Sequence, residues 1–221
     1  MTTALRCQGV RVRYGGVEVL HGVDLVVPYG ALTALVGPNG AGKTTLLEWC
    51  GGVPSTATRE EGRLELSGPD GRSADSRALR VVPSGVNVFP NLTVTDNLRA
   101  TGRPDRAFEL FPELAALAEH QAATLSGGER QLLAVAGGLT GKWQVLLVDE
   151  PVQGLAAELA ERVYQQLAAF VSPDRAVLVA EPAAERALAV CDFVWQLDRG
   201  RITFAGEPSE LFRERTRSPA R

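Results

Sequence analysis

A glycine-rich stretch, GPNGAGKTT at residues 37–45, has the residue types and spacing that bind phosphate groups. It matches G-x-x-x-x-G-K-[ST] and lies between a predicted buried strand, ALTALVG at 31–37, and a predicted helix, KTTLLEWC at 43–50. Glycines let backbone N–H groups point inward at phosphate oxygens, and the helix N-terminus adds the positive end of its dipole. A glycine-rich turn that only joins strand to helix is the alternative, and this context disfavours it. The predicted nucleotide-binding residues here are Gly37, Pro38, Asn39, Gly40, Ala41, Gly42, Lys43, Thr44 and Thr45.

Within this phosphate loop (residues 37–45), Lys43 is predicted to reach the β- and γ-phosphates, and the Thr44 hydroxyl is predicted to bind Mg²⁺. Of the 23 Lys and Arg residues in the chain, only Lys43 and Lys142 are lysines. A flexible point charge therefore stands at the base of the loop in a chain that otherwise uses arginine, which is planar and bulkier.

A second candidate group is the acidic pair in VLLVDEP at 145–151, where an apolar strand ends in Asp149 and Glu150. Ligands of open parallel sheets bind at the carboxyl ends of the strands. Asp149 is predicted to hold Mg²⁺ through water, and Glu150 is predicted to orient or deprotonate an attacking water. A plain turn at a strand end would explain this pair alone, but the phosphate loop favours the catalytic interpretation.

The stretch LSGGERQ at 125–131, the signature stretch below, is more specific than either motif. Together with GPNGAGKTT, FPNLTVTDNL and VLLVDEP in this order, it resembles the ATP-binding cassette (ABC) family over nearly the whole chain. Tyr14 is placed like the aromatic residue that stacks on adenine in that family. VFPNLTVTDNL, ELFPEL and GLAAEL resemble the ATPase subunits of branched-chain (hydrophobic) amino-acid importers.

The resemblance implies that two ATPase domains, of like or unlike chains, pair head to tail and trap ATP with Mg²⁺ between them. In each chain, Lys43 and Glu150 would act on the ATP that the chain itself binds. The signature residues of the partner chain would lie on the other side of that ATP. The signature residues in this chain are Ser126, Gly127, Gly128 and Glu129, and the Ser126/Glu129 spacing also predicts a capping box. A helical subdomain would carry the motion to membrane-spanning transporter subunits.

Three residues depart from the family pattern around the γ-phosphate. Ser84 stands where a glutamine usually senses Mg²⁺ and water, Val152 replaces a serine, and Glu181 aligns with a γ-phosphate-contacting histidine. A carboxylate near a triphosphate is unfavourable, so Glu181 is expected to turn away or to slow turnover. The alternative function is therefore a slow or non-hydrolysing ATP-binding partner of a second ABC ATPase. A small-molecule kinase would give LSGGERQ no role, and a family member that acts without a transporter is a further alternative.

Alternation of apolar and polar residues predicts antiparallel strands within 10–14 and 17–27. Later segments alternate strand and helix, as in a parallel sheet with covering helices. The predicted fold is α/β, with a P-loop NTPase core carrying helices on both faces, an N-terminal antiparallel β subdomain and an inserted helical subdomain. One nucleotide-binding domain is expected over 1–221, with core at about 1–94 and 141–210, helices at about 95–140, and a flexible tail at 211–221.

Composition excludes several classes of protein. A net charge of −3 and a pI near 5.5 do not predict a nucleic-acid partner. The three cysteines share no metal-type spacing, which favours free thiols in a reducing compartment. No apolar run is long enough for a membrane span or a signal peptide. The expected location is cytoplasmic, peripheral on the inner face of the cell membrane.

Overall fold

The computed structural model describes residues 2–53, 56–57, 59–85, 88–182 and 185–217, the last four of these by their backbone alone. Two sheets organise this part of the chain, one of three strands and one of six. Between them and around them lie eight α-helices within the described ranges.

The smaller sheet is antiparallel and has the strand order β2-β1-β4. Its strands are β1 (Thr3–Tyr14), β2 (Val17–Pro28) and β4 (Arg59–Leu66). Along β1 the buried Val10 and Val12 alternate with the exposed Arg11, which is the pattern of a strand with one face in the core. The predicted antiparallel β subdomain is confirmed. β4 was not predicted, because REEGRLEL offers few apolar residues.

The larger sheet has the order β5-β6-β7-β3-β8-β9 and is parallel except for the last pair. Because its parallel strands end at one edge, the residues that follow β3, β6 and β7 come together there. The strands are β3 (Leu32–Val36), β5 (Leu79–Val82), β6 (Val145–Asp149), β7 (Ala176–Glu181), β8 (Phe193–Asp198) and β9 (Arg201–Gly206).

The two faces of this sheet belong to different hydrophobic clusters. In β6, Val145 and Leu147 pack with α1 (Lys43–Cys50) and the smaller sheet, whereas Leu146 and Val148 face the other way. The other face is covered by α5 (Gly127–Thr140) and α6 (Ala157–Phe170). Helices therefore lie on both faces, and the predicted P-loop α/β fold is confirmed.

Short helices precede α5, in the segment predicted to be an inserted helical subdomain. They are α2 (Val94–Thr101), α3 (Pro104–Leu110) and α4 (Pro112–Ala115). Buried residues of this segment, among them Leu98, Phe111 and Leu114, belong to the same cluster as the sheet face under α5 and α6. The helical subdomain thus shares a core with the sheet.

Two helices follow β7 along the chain, α7 (Glu185–Val190) and α8 (Pro208–Arg217). The segment 211–221 was expected to be a flexible tail, but its first part continues α8. Leu211 is 1% exposed and belongs to the core, which gives that helix an apolar anchor. Residues 218–221 lie outside the described residues. Among the helices that the structure describes, none has the length and apolar character to cross a bilayer.

Candidate functional site

The phosphate loop joins β3 to α1 at the carboxyl edge of the larger sheet. The Ala41 N–H donates to the Pro38 carbonyl oxygen at 3.1 Å, which closes a turn at its centre. Gly42 has a φ of 105°, and a Cβ at Gly37 would overlap the Leu197 carbonyl oxygen. The loop therefore requires glycine at both positions, at Gly42 for backbone conformation and at Gly37 for space.

Lys43 is the first residue of α1, and its ammonium group turns back into the loop. Its Nζ donates to the carbonyl oxygens of Gly37, at 2.8 Å, and Pro38, at 3.1 Å. Burial lowers the pKa of Lys43, while the negative charges of Asp149, Glu150 and Glu181 act in the opposite direction. A buried cation whose partners within the described ranges are two carbonyl oxygens is a suitable point charge for phosphate oxygens.

Thr44 and Asp149, the two predicted Mg²⁺ ligands, lie within hydrogen-bonding distance of each other across the edge of the sheet. The Thr44 hydroxyl donates to Asp149 Oδ2 at 2.6 Å, and the Ser84 hydroxyl donates to the same oxygen at 3.1 Å. The other carboxylate oxygen of Asp149, Oδ1, is buried and has no hydrogen-bond partner among the residues that the structure describes. An unpartnered buried carboxylate oxygen beside a threonine hydroxyl fits Mg²⁺, which binds through one or two carboxylates and keeps several waters.

Glu150 follows Asp149 directly, at the carboxyl end of β6. Its φ of 46° is one of two positive values among the described non-glycine residues, the other being that of Arg199. Its amide N–H donates to the Ala180 carbonyl oxygen of β7 at 2.9 Å. Glu150 thus turns the chain sharply out of β6, and such left-handed residues concentrate at functional sites.

Glu181, at the end of β7, is 7% exposed and faces α6 rather than the phosphate loop. Its Oε1 accepts a hydrogen bond from the Tyr164 hydroxyl at 2.6 Å. Side chains alternate between the two faces of the sheet along β7, so Glu181 lies on the same face as Val177 and Val179, in the cluster under α6. Helix α1 packs on the opposite face of the sheet. From the sequence, Glu181 was expected either to turn away from the triphosphate or to slow turnover. The observed orientation corresponds to the first alternative, in which the side chain turns away.

Burial raises the pKa of Glu181 to about 7. The hydrogen bond from Tyr164 and the charge of Lys43 act against this rise, and the charges of Glu150 and Asp149 add to it. Burial and the neighbouring carboxylate together also raise the pKa of the Tyr164 phenol. The backbone carbonyl of Glu181 accepts from the Gly37 N–H at 3.3 Å, so this pair lies directly behind the phosphate loop.

The predicted capping box at the start of α5 is confirmed. The Ser126 hydroxyl accepts from the Glu129 N–H at 3.2 Å, and the Glu129 carboxylate accepts from the Ser126 N–H at 2.7 Å. Nothing in the described part of the chain lies within 4 Å of a Cβ added at Gly127, whereas a Cβ on Gly128 would lie 2.5 Å from the Gly154 carbonyl oxygen. The signature stretch therefore packs closely against the turn that follows β6.

Two further residues that the sequence analysis singled out are Tyr14 and Val152, and their positions follow from the residues around them. Tyr14 ends β1 beside the turn into β2, and Val19 and Leu20 of β2 lie against Gly42 of the phosphate loop. Val152 is half-buried and packs against the hydrophobic cluster under α5 and α6. The strand that follows the Tyr14 turn thus lies against the phosphate loop, whereas the Val152 side chain is directed into the protein.

Sequence reasoning missed three residues that contact the site. The Tyr164 hydroxyl donates to Glu181. The Gln131 Nε2 donates to the carbonyl oxygens of Asp149 and Glu150, and the Gln153 Nε2 donates to the Glu150 carboxylate. Tyr164 lies on the apolar stripe of α6, where a core role was the natural interpretation. Gln131 begins QLLAVAGGL, a run that is otherwise apolar. A polar residue in that place could have indicated a polar role. Nothing in the sequence indicated that Gln153 contacts the site, since glutamine is common at exposed positions in turns.

Comparison with known proteins agrees with this geometry. Residues 20–153 match the family model described as ABC transporter. The chain is 36% identical over 206 residues to the high-affinity branched-chain amino acid transport ATP-binding protein BraG of Pseudomonas aeruginosa, covering 87% of this chain and 88% of that protein. It is 35% identical over 223 residues to a probable branched-chain amino acid transport ATP-binding protein, LivF, of Archaeoglobus fulgidus, covering 94% and 93%.

Solved structures show the same fold. One, described as the ATP binding subunit of an ABC transporter, superposes with a TM-score of 0.81 at 21% identity and covers 98% of this chain and 95% of that one. A nucleotide-free ATP-binding cassette from an ABC transporter gives 0.78 at 21% identity, with 99% and 96% covered. The family match spans more than half of the chain, and the identity to BraG and LivF extends over most of it. This chain therefore belongs to the ABC transporter family, as one of its ATP-binding proteins.

Proposed function

We propose that this protein binds MgATP and hydrolyses it as the ATPase subunit of an importer for branched-chain or similar hydrophobic amino acids. The observation that carries the proposal is the convergence of Lys43, Thr44, Asp149 and Glu150 at one edge of the sheet. The solute class is supported by BraG and LivF, branched-chain amino acid transport ATP-binding proteins that are each about a third identical to this chain.

The chain's own residues would bind the nucleotide as follows. Backbone N–H groups of the phosphate loop and the N-terminus of α1 bind the phosphates, and Lys43 exchanges its carbonyl partners for phosphate oxygens. Thr44 and Asp149 would hold Mg²⁺, which would supply positive charge to neutralise the phosphates. Tyr14 stacks on the adenine ring. The unpartnered Oδ1 of Asp149 supports the metal assignment.

Glu150 orients the attacking water and accepts its proton. It lies one residue beyond Asp149, so it stands beside the metal site at the end of β6. A carboxylate in this place acts by positioning the water and by general-base catalysis, whereas most of the rate enhancement in phosphoryl transfer comes from positioning and electrostatic stabilisation.

Two ATPase domains pair head to tail, so that the Ser126–Glu129 end of α5 in one chain faces ATP held by the other. The first N–H groups of a helix have no partners within it, and they suit a γ-phosphate. Loss of that phosphate on hydrolysis then opens the pair. The helical subdomain transmits the motion to membrane-spanning subunits, which places this chain on the cytoplasmic face of the membrane.

A second candidate function is a slow or non-hydrolysing partner that completes the site of another ABC ATPase. The specific observations in its favour are at Glu181 and Val152. The Glu181 carboxylate is held by Tyr164, and the Val152 side chain packs into the hydrophobic cluster. The Glu181 carboxylate faces away from the phosphate loop, and the Val152 side chain has no hydrogen-bond donor. Neither residue would therefore donate a hydrogen bond to a γ-phosphate.

The test is MgATP turnover by the purified chain over a range of protein concentrations, with Glu150→Gln alongside. Glu158→Gln, which removes an exposed carboxylate from α6, is the matched control. Turnover that rises more than linearly with concentration and falls at least about a hundredfold only in Glu150→Gln supports the hydrolysing pair. ATP binding without turnover above that of Glu150→Gln would refute hydrolysis by this chain and support the second candidate.

A further inference from the structure

The carboxylate of Asp149 is enclosed at the end of β6, where the side chain is 1% exposed. Its Oδ2 accepts hydrogen bonds from the hydroxyls of Thr44, at 2.6 Å, and Ser84, at 3.1 Å. Its Oδ1 has no such partner within the described ranges. Burying a carboxylate is costly unless hydrogen-bond donors replace the lost water. The two hydroxyls therefore stabilise the negative charge at Oδ2.

These two hydroxyls reach Asp149 from opposite sides of β6. In the sheet order, β5 lies on one side of β6, whereas β7 and β3 lie on the other. Ser84 follows β5, and Thr44 belongs to α1, which follows β3. Rotation of the carboxylate would break both hydrogen bonds, so the unpartnered Oδ1 also keeps a fixed direction.

The position of Ser84 is set by the main chain. Val82 and Val148 form the last pair in the parallel register of β5 and β6, and both are buried. Pro83 follows Val82, and its ring restricts φ to about −65°. The ends of two neighbouring strands therefore bring Ser84 beside Asp149, and its short side chain has few rotamers to order in making the contact.

The two hydroxyls differ in their relation to the nucleotide. A hydroxyl oxygen can bind a cation through its lone pairs while its proton remains in a hydrogen bond. Thr44 belongs to the phosphate loop, so it lies on the side where a metal bound to the phosphates would stand. Ser84 lies on the other side of Asp149 in the sheet order, where its hydroxyl holds the carboxylate instead.

We propose that Ser84 is a positioning residue of the Mg²⁺ site. Its hydroxyl, together with that of Thr44, anchors Oδ2 of Asp149, so that Oδ1 stays available to the metal or to a water bound to it. Removing a hydrogen-bond partner of a metal ligand typically lowers metal affinity by about 10- to 100-fold. This inference rests on the binding of MgATP under the proposed function, but not on hydrolysis.

The test is the affinity of the purified chain for AMP-PNP, an ATP analogue with a non-hydrolysable β–γ link, measured by calorimetry in excess Mg²⁺ and in EDTA. The ratio of the two affinities reports the contribution of the metal without turnover. In Ser84→Ala the ratio should fall by about tenfold, because Thr44 still donates to Asp149, and the affinity in EDTA should change by less than about twofold. Ser84→Thr keeps the hydroxyl and should keep the ratio within about twofold of the wild type.

A further variant separates positioning from direct metal binding. Ser84→Cys introduces a weaker hydrogen-bond donor that is also a soft metal ligand. A positioning residue predicts a lower ratio with Cd²⁺ as well as with Mg²⁺. A higher ratio with Cd²⁺ than in the wild type would show that residue 84 itself binds the metal, and would overturn the proposal.

Ser76→Ala is the matched control. Ser76 is an exposed serine that precedes β5, and its hydroxyl donates to Asp75 at 3.4 Å, far along the strand from the site. This variant also removes a hydroxyl that bonds an aspartate, but the aspartate is not a predicted metal ligand. Every affinity ratio should be unchanged.

The two proposals fail separately. Equal ratios in the wild type and in Ser84→Ala would overturn the role of Ser84 and leave MgATP binding intact, even if the unfolding free energy of the variant fell. A wild type that gains no affinity from Mg²⁺ would refute the proposed metal site and the inference with it. A reduced ratio in Ser84→Ala, in a chain whose turnover equals that of Glu150→Gln, would retain the role of Ser84 and refute hydrolysis.

Discussion

Replacing Glu181 with glutamine is expected to stabilise the protein at neutral and alkaline pH but not under mildly acidic conditions. Glu181 is 7% exposed, and its pKa is raised from 4.5 to about 7, chiefly by burial. The folded chain therefore binds a proton at Glu181 more tightly than the unfolded chain does. Glutamine has nearly the same shape and no charge, and its carbonyl oxygen can still accept the hydrogen bond from Tyr164.

The sign and size of the effect follow from proton linkage. Between pH 4.5 and about 7 the folded state holds the proton that the unfolded state has lost, so this residue's contribution to stability falls as pH rises. Below that window both states are protonated and the contribution is fully present. At about 1.4 kcal/mol for each pH unit, the loss reaches about 3 kcal/mol above pH 7. Glu181→Gln removes this loss.

The assay is urea-induced unfolding of the wild type and Glu181→Gln from about pH 4.5 to pH 8, in a range where both unfold in one transition. The difference in unfolding free energy should grow with pH by up to about 3 kcal/mol. Glu161→Gln, which removes an exposed carboxylate from the same helix as Tyr164, is the matched control for loss of charge. A difference that stays constant from about pH 4.5 to pH 8 would refute the reasoning.

Further predictions concern packing and thiol chemistry. Gly128→Ala should lower the unfolding free energy by about 1–3 kcal/mol, because its Cβ would lie 2.5 Å from the Gly154 carbonyl oxygen. Gly127→Ala, with open space around it, should not, and equal urea midpoints for the two variants would contradict this prediction. The sulfurs of the buried Cys7 and Cys50 lie 3.3 Å apart, and this contact together with burial raises the pKa of the Cys50 thiol. Iodoacetamide should therefore label Cys50 at least about tenfold faster in urea than in the folded protein, as followed by mass spectrometry, and equal rates would exclude the packing described here.

Local pattern was sufficient for much of the fold. The alternation of Val10 and Val12 with Arg11 predicted an antiparallel strand, and the Ser126/Glu129 spacing predicted a capping box. The phosphate loop was predicted with its flanking strand and helix. These features depend on residues a few positions apart, so their physical causes are present in the sequence itself.

Elements whose stability comes from distant partners were harder to predict. β4 has the charged sequence REEGRLEL and forms because it pairs with β1. The first part of the expected C-terminal tail is helical, since Leu211 packs into a core built from other parts of the chain. In both cases tertiary contacts outweigh a weak local preference.

The sequence by itself determined which residues could do the chemistry: a lysine in a glycine-rich loop, a threonine after it, and an acidic pair at a strand end. Only the tertiary structure decided how their neighbours act on them. The Ser84 hydroxyl bonds Asp149, and Tyr164 draws the Glu181 carboxylate toward α6. The physical reason is that a hydrogen bond depends on the distance and direction between two groups, and folding sets these for residues far apart in the chain.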